Sequence, residues 1–428
     1  MSRKTISGMH FAVYSHKLVV GQNRLITRNF IVLKNEYNII TQFTDFHQYI
    51  HSSKGHGAHS ISDDGNNRFS FVAHFLNYIF FTNNQEYKYR SLRDIDADIV
   101  QQFFYAYGSI QSDGTARTKA TVTQCTNAVI DFLTCFVKEY RGRCKLSLSD
   151  IAEEEFYYTK RGHKKTHLVP KFDIIYSGVP KHIFRDIPNA VFNLILGYTA
   201  ENYPQILMLI ALSAFAGCRP SEACNVRQEI SPLGPGIIIK RIGSEIIDIS
   251  IDLREEMVLR SDLKPVGFIK KERMQKVYPR FKNVFMFCYG RYKEYLSTIK
   301  FEKDYCALSV NKQGKARTYD SYVSVFRKMI SELISIMLQS DEEEIVNYGF
   351  LLQSNNIGPH IFRHWFSVRL ALYGEDIAGL QYWRGDKSPE SALVYLQNKS
   401  ELTKQFQRVS NESFDFMLKQ AIERERHE

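Results

Sequence analysis

Residues 360–370 read HIFRHWFSVRL. If this stretch is helical, His360, Arg363 and His364 share one face, because positions i, i+3 and i+4 are neighbours on an α-helix. Pro359 before it and Gly374 after it bracket such a helix, with Ile361, Trp365, Val368 and Leu372 as its core stripe. The two imidazoles and the guanidinium then sit at the edge of that stripe near the helix N-terminus, which favours anions. A lone histidine on a helix face is more often a hydrogen-bonded structural residue than a catalyst. The stretch takes its meaning from the rest of the chain.

The chain has 428 residues, enough for two or three domains, with ordinary apolar (44%) and charged (24%) shares. No apolar run approaches a membrane span, and MSRKTISGMHFAVYSHK at the N-terminus has no continuous apolar segment of signal-peptide type. Seven cysteines (125, 135, 144, 218, 224, 288 and 306) are scattered without a C-x-x-C pair. That argues against a disulfide framework or a structural zinc site and for a reduced, cytoplasmic protein away from membranes. His56 and His59 lie in a polar Gly/Ser-rich loop without a cysteine partner, so no metal is expected there.

The net charge of +10 suits a polyanionic partner, and its distribution says more. Between Thr159 and Arg185, Lys160, Arg161, Lys164, Lys165, Lys171, Lys181 and Arg185 face one acid, Asp173. Between Lys264 and Lys293, Lys264, Lys270, Lys271, Arg273, Lys276, Arg280, Lys282, Arg291 and Lys293 face Glu272. Aromatic residues interleave both runs. One such run is usually solvated surface; two tilt the reading toward binding a phosphate backbone.

Along the chain, residues 1–64 read as an extension with strand character. Residues 65–158 carry helical periodicity, and 159–182 read as a basic extended linker. A second compact unit starts near His182. In it YPQILMLIALSAFAG is apolar nearly all round and so a buried helix, and EIIDISIDL alternates as a half-buried strand. VGFIKKERMQKVYP reads as another strand with a turn. The fold class expected is mainly α with a small antiparallel β-sheet.

Two further corners stand out. In AFAGCRPSEACNV, Gly217 suits a helix C-terminus and Pro220 the first position of a new helix, which holds Arg219 in a tight corner. The Arg219–Glu222 spacing alone is that of a commonplace ion pair. In WRGDKSPESALVYL, Gly385 ends a short helix and Ser388-Pro389-Glu390 begins another, with Tyr395 about two turns in. With 25 tyrosines in the chain, Tyr395 matters only through its company.

The ordered set Arg219-Pro-Ser-Glu222, a basic strand, His360-Ile-Phe-Arg363-His364, then Gly385 through Tyr395 resembles the tyrosine recombinases, the phage integrase family. The match covers the C-terminal half; the helical region before it matches the family's core-binding domain only in pattern. The resemblance implies a two-domain DNA clamp: core-binding domain 65–158, linker 159–182 and catalytic domain 183–398, working as a homotetramer on DNA; the amphipathic helical tail 399–428 either packs through Phe406, Phe414 and Met417 on a neighbour to assemble it or packs on its own chain. It implies that Arg219 and Arg363 hold the scissile phosphate and that Tyr395 attacks phosphorus to form a 3′-phosphotyrosyl link. His360 would be the base, and Lys271, with Lys270 as second choice, would protonate the leaving 5′-oxygen. Glu222, His364, Trp383 and Asp386 would support the site, and Lys160, Arg161, Lys164, Lys165, Lys270, Arg273 and Lys276 would contact duplex DNA. Neither ATP nor a metal is implied, because the covalent link conserves the phosphodiester bond energy; accessory DNA-bending or directionality proteins could assist. The chain departs from the family at Asp386, nine residues before Tyr395, where His or Trp is usual. Three readings follow: Asp386 orients Arg363, His364 or Lys387; or Trp383 takes over the missing contact; or the enzyme is slow or inactive. Alternatives to a mobile-element recombinase are a catalytically impaired DNA-binding protein on this fold, a telomere-resolving enzyme and a type IB topoisomerase-like enzyme.

Overall fold

The computed structural model describes residues 8–21, 24–50, 63–81, 89–111, 113–114, 116–158, 164–179, 187–301 and 304–386. Residues 1–18 and 26–182 form one compact unit, and residues 19–25 and 183–428 the other.

The first unit carries most of a three-stranded sheet in the order β1 (His10–Val20), β2 (Arg24–Lys34), β3 (Ile40–Phe43). Its core is built on α1 (Asp63–Phe81), α2 (Ala97–Gly108) and α3 (Lys119–Glu139). Asp96 caps α2 through the Ile99 N–H at 3.2 Å, and Thr118 caps α3. Contrary to the expectation that no segment resembles a membrane span, α3 has the length and composition of one. Its Val122, Cys125, Val129, Phe132, Leu133 and Phe136 are buried in this core instead.

A one-turn helix, α4 (Leu148–Ile151), ends the helical part. The helical reading as far as Tyr158, followed by a linker, is corrected here. β4 (Ala152–Tyr158) and β5 (Lys164–Pro170) form an antiparallel hairpin whose register runs from Ala152↔Pro170 to Tyr158↔Lys164. Phe156, Tyr157 and Tyr158 favour a pleated strand, a local preference that the search for helical periodicity overlooked.

In the second unit, α5 (Asn189–Asn202), α6 (Pro204–Phe215), the single turn α7 (Pro220–Ala223), α8 (Lys282–Thr298), α9 (Tyr319–Leu338), α10 (Glu343–Ser354), α11 (Ile361–Leu372) and α12 (Ile377–Arg384) surround a small sheet. The sheet is antiparallel, in the order β6 (Ile237–Ile242), β7 (Glu245–Leu253), β8 (Arg273–Lys276). Helices with small antiparallel sheets are the α+β class read from the sequence. Every residue of α6 from Ile206 to Phe215 is buried, as an all-round apolar helix requires. In β7 Ile249, Ile251 and Leu253 face the core as the alternation requires, although Ser250 between them is buried too; the pattern breaks at Ile247, which is exposed where the β6–β7 register shifts.

Of VGFIKKERMQKVYP, read as a strand with a turn, Arg273–Lys276 is the strand, paired with β7. The preceding backbone is tied elsewhere. The Val266 carbonyl accepts from the Tyr319 N–H at 2.7 Å, the Phe268 carbonyl from the Ser221 hydroxyl at 3.2 Å, and the Ile269 N–H donates to Glu256. Those bonds replace a strand partner.

Candidate active site

The site begins where α6 stops. Gly217 has φ +63°, and a Cβ there would lie 2.5 Å from the Phe366 ring of α11, so only glycine lets the two helices approach so closely. The turn aims the Gly217 carbonyl at Arg363, whose Nη1 donates to it. Two residues on, Arg219 is the N-cap of α7, with Pro220 at its first position. Glu222 accepts from the Arg219 N–H at 3.0 Å and from its Nη1 at 3.1 Å.

Glu222 has a second partner. Arg273 on β8 meets it with two bonds, Nη1 to Oε1 at 3.2 Å and Nη2 to Oε2 at 2.8 Å. Burial alone would raise the Glu222 carboxyl, but the charges of Arg273, Arg219 and Arg363 outweigh it and hold the group at about 2. Arg273 also donates to Gln275 Oε1 at 2.6 Å and to the Lys271 carbonyl at 2.8 Å. Its expected role in contacting DNA is therefore corrected to an internal one. The strand pleat turns Arg273 and Gln275 inward, while Met274 and Lys276 face outward.

Arg363 comes from the first turn of α11. That helix is seated by the Trp365 ring, stacked on Phe192 at 3.8 Å, and by the Trp365 indole N–H, which donates to Asn189. Its buried stripe is Ile361, Phe362, Trp365, Phe366, Val368 and Leu370, with Leu372 only half-buried. Arg363 itself is 3% exposed, inside the packing rather than at its edge. Burial and the charges of Arg384 and Arg219 lower its pKa to about 9, opposed by Asp386 and Glu222. At neutral pH it is a cation.

Asp386 joins the two arginines. Its Oδ1 accepts from Arg219 Nη2 at 2.9 Å and from Arg363 Nη2 at 2.7 Å. Its Oδ2 lies 3.2 Å from Arg384 Nη2. The local sequence fixes this position. Gly385 closes α12 in the left-handed conformation at φ +64°, its N–H returns to the Tyr382 carbonyl at 3.0 Å, and the Asp386 N–H returns to the Gln381 carbonyl at 3.1 Å. A Cβ at Gly385 would also strike the Arg273 side chain at 2.3 Å. Four guanidinium groups (Arg219, Arg273, Arg363 and Arg384) thus meet two carboxylates, and the cluster carries a surplus of positive charge.

His360 is the exposed N-cap of α11. The protein packed around its ring, then the charges of Arg363 and Arg219 and, more weakly, Lys270, push its pKa down to about 4 against the pull of Glu222. At neutral pH it is an uncharged imidazole able to accept a proton. Lys271 is half-buried and lines a cleft of about 320 Å³ with Gln275, Gln381, Tyr382, Gly385 and Asp386, whereas Lys270 is exposed. Trp383 packs edge-on against Tyr278 at 5.0 Å, and its carbonyl accepts from Gln275. Trp383 also lines the cleft that holds Lys271 and Asp386. His364 is half-buried on α11. Tyr395, Ser388, Pro389 and Glu390, and the tail with Phe406, Phe414 and Met417, lie outside the described residues.

The basic runs separate. Lys160 and Arg161 lie outside the described residues, and Lys165 is placed by its backbone, paired with Tyr157. Lys164 lies 3.8 Å over the Phe156 ring on the hairpin. In the second run Lys276 pairs with Asp248 at 3.1 Å, Lys293 with Glu229 at 3.3 Å, and Lys282 donates to the Ile246 and Ile247 carbonyls. Much of that run is engaged within the unit. Among the described residues no group of three or more His, Cys, Asp or Glu side chains could hold a metal ion.

Sequence reasoning passed over Arg384, 2% exposed, and the inward role of Arg273. The period-2 pattern of β8 signalled the second; nothing local signalled the first.

No protein-family model matches the chain, and neither does any curated protein. Solved structures are similar to it. The XerH site-specific recombinase bound to palindromic difH substrate is 15% identical over 77% of this chain and 75% of that one, with a TM-score of 0.45. The Tn1549 transposon integrase with circular intermediate DNA is 14% identical over 82% and 93%, with a TM-score of 0.46. A lambda integrase dimer bound to a COC′ core site is 10% identical over 80% and 90%, with a TM-score of 0.39.

Proposed function

We propose that this chain cuts and rejoins duplex DNA as a site-specific tyrosine recombinase, through a 3′-phosphotyrosyl intermediate, in the service of a mobile element. One observation carries the reading. Arg219 and Arg363, from separate helix starts, bring one terminal nitrogen each to a single oxygen, Asp386 Oδ1. Two guanidinium forks, both cationic at neutral pH, converge on one point and match the non-bridging oxygens of a phosphodiester, which gain charge as phosphorus is attacked. Losing one such donor costs about 3–4 kcal/mol of barrier, roughly a hundredfold to a thousandfold in rate.

The Tyr395 hydroxyl attacks phosphorus, a new O–P bond forms, and the bond to the 5′-oxygen breaks. The phenol proton passes to His360, whose neutral imidazole gains basicity from its value of about 4 as the anionic phosphate takes its place beside the arginines that depress it. Lys271 delivers a proton to the departing 5′-oxygen. Reversal with a different 5′-hydroxyl rejoins the strands. The surplus positive charge around Glu222 and Asp386 compensates the incoming phosphate.

Asp386 also favours a second reading, a DNA-binding protein impaired in cleavage, because a carboxylate between the arginines repels phosphate. Trapping on a nicked suicide duplex in a denaturing gel separates the two. The recombinase reading expects a protein–DNA adduct that disappears in Tyr395→Phe. Salt-sensitive duplex binding without any adduct would establish the impaired binder.

A further inference from the structure

All four terminal nitrogens of the Arg219–Arg363 pair already donate to protein oxygens. Arg219 gives Nη1 to Glu222 and Nη2 to Asp386; Arg363 gives Nη1 to Gly217 and Nη2 to Asp386. Glu222 and the Gly217 carbonyl belong to the corner that builds the seat. Asp386 is different, because a single oxygen of its carboxylate sits between the two guanidiniums, where one oxygen of a phosphate would be held. Asp386 and Arg363 are each 3% exposed, so an outside anion reaches Arg363 only if something moves.

We infer that Asp386 is a built-in occupant of a phosphate seat, an internal anion that keeps Arg219 and Arg363 paired until a substrate phosphate displaces it. This rests on the proposed phosphodiester chemistry for the identity of the ligand. The displaced carboxylate has a second place to go. Its other oxygen already lies 3.2 Å from Arg384 Nη2, so turning toward Arg384 keeps it paired while Oδ1 leaves the seat. The backbone need not follow, because the Gly385 turn holds it. The four guanidiniums outnumber the two carboxylates, so the cluster accepts a phosphate without expelling a cation. The same carboxylate makes the seat selective. A weakly held free anion does not displace it, whereas a phosphodiester anchored along a duplex does so with the help of its other contacts.

The test uses inorganic phosphate as the probe and thermal unfolding of the full chain as the readout, since a ligand that binds only the folded state raises its melting temperature. Wild type should respond weakly. Asp386→Ala and the isosteric Asp386→Asn should be stabilised at phosphate concentrations about tenfold or more below those wild type needs, because a competing like charge in the seat is worth at least that factor. Adding Arg363→Ala to Asp386→Asn should abolish the gain. An Asp386→Ala chain that folds only in phosphate supports the inference equally. If both variants respond to phosphate as wild type does, or if Asp386→Ala stays unfolded in phosphate while Asp386→Asn responds as wild type, the inference is overturned and Asp386 is a structural counter-ion. The readout needs neither Tyr395 nor DNA. Repeating it in Tyr395→Phe therefore separates a failure of the seat from a failure of the strand-transfer reading.

Discussion

Glu222 and Asp386 are both nearly inaccessible carboxylates, Glu222 paired with two arginines and Asp386 with three, yet they do different work. Glu222 sits in α7, three residues from Arg219, and ties that arginine to Arg273 on β8. It joins the helix corner to the sheet, and its partners would keep it charged with or without substrate. Asp386 follows the last turn of α12 and ties Arg219 to Arg363 and Arg384. It sits between the two guanidiniums, at the point a phosphate oxygen would take. One carboxylate builds the site; the other, on the account above, fills it. The same chemical pair, carboxylate and guanidinium, thus serves as scaffold in one place and as stand-in ligand in another.

Variants can break or sharpen that contrast. The largest effect is expected at Arg219 or Arg363: replacing either with alanine should slow adduct formation on a suicide duplex by roughly a hundredfold to a thousandfold. Next is Glu222→Ala, which leaves Arg273 buried without its carboxylate. Breaking a buried pair costs about 3–5 kcal/mol, to be read as a drop in the denaturant midpoint, and phosphate should not restore it. Restoration by phosphate would make Glu222 a second stand-in and dissolve the contrast.

Acid should act on Glu222 and on His360 in separate windows. The folded pKa of Glu222 lies at about 2, below its ordinary value of 4.5, so its stabilising contribution is complete above pH 4.5 and is lost as pH falls toward 2. His360, lowered from 6.5 to about 4, works the same way for the opposite charge reason. The unfolded chain takes up its proton first, so stability falls as pH drops from 6.5 toward 4. Asparagine at 360 should flatten that upper part of the pH–stability profile and leave the lower part intact. The smallest effect is expected on the outer side of β8. Lys276→Ala removes a half-exposed pair with Asp248 and should change stability by less than about 1 kcal/mol in a denaturant titration.

The contrast also marks what the sequence could disclose. Glu222 and Arg219 are three residues apart, and the Gly217–Pro220 corner that presents them is written in residue types with fixed backbone preferences. So are the Gly385 turn and the two-imidazole start of α11. These are local signals, and local chemistry decides them. Asp386 meeting both Arg219 and Arg363 is a tertiary event. The sequence could only report a carboxylate at this position and leave three roles open; its contacts with both arginines depend on the folding of α7, α11 and α12 together. Arg273 was misread because composition counts it as one more cation in a basic run, while the pleat of β8 turns it inward. The β4–β5 hairpin was missed for a related reason, since its strands are short and its aromatic residues lie beside charged ones. The strand in VGFIKKERMQKVYP is confined to Arg273–Lys276, because Glu256, Ser221 and Tyr319 hold the backbone before it through side-chain and long-range bonds that leave no periodic trace.

The most direct test of the central claim is to find which residue becomes joined to DNA. Wild-type protein is incubated with a nicked duplex carrying its recombination site, digested with trypsin, and the nucleotide-bearing peptide identified by mass spectrometry. The account predicts the peptide SPESALVYLQNK, residues 388–399, with the nucleotide on Tyr395. A nucleotide on any other residue, or no covalent peptide from a duplex the protein binds, would contradict it.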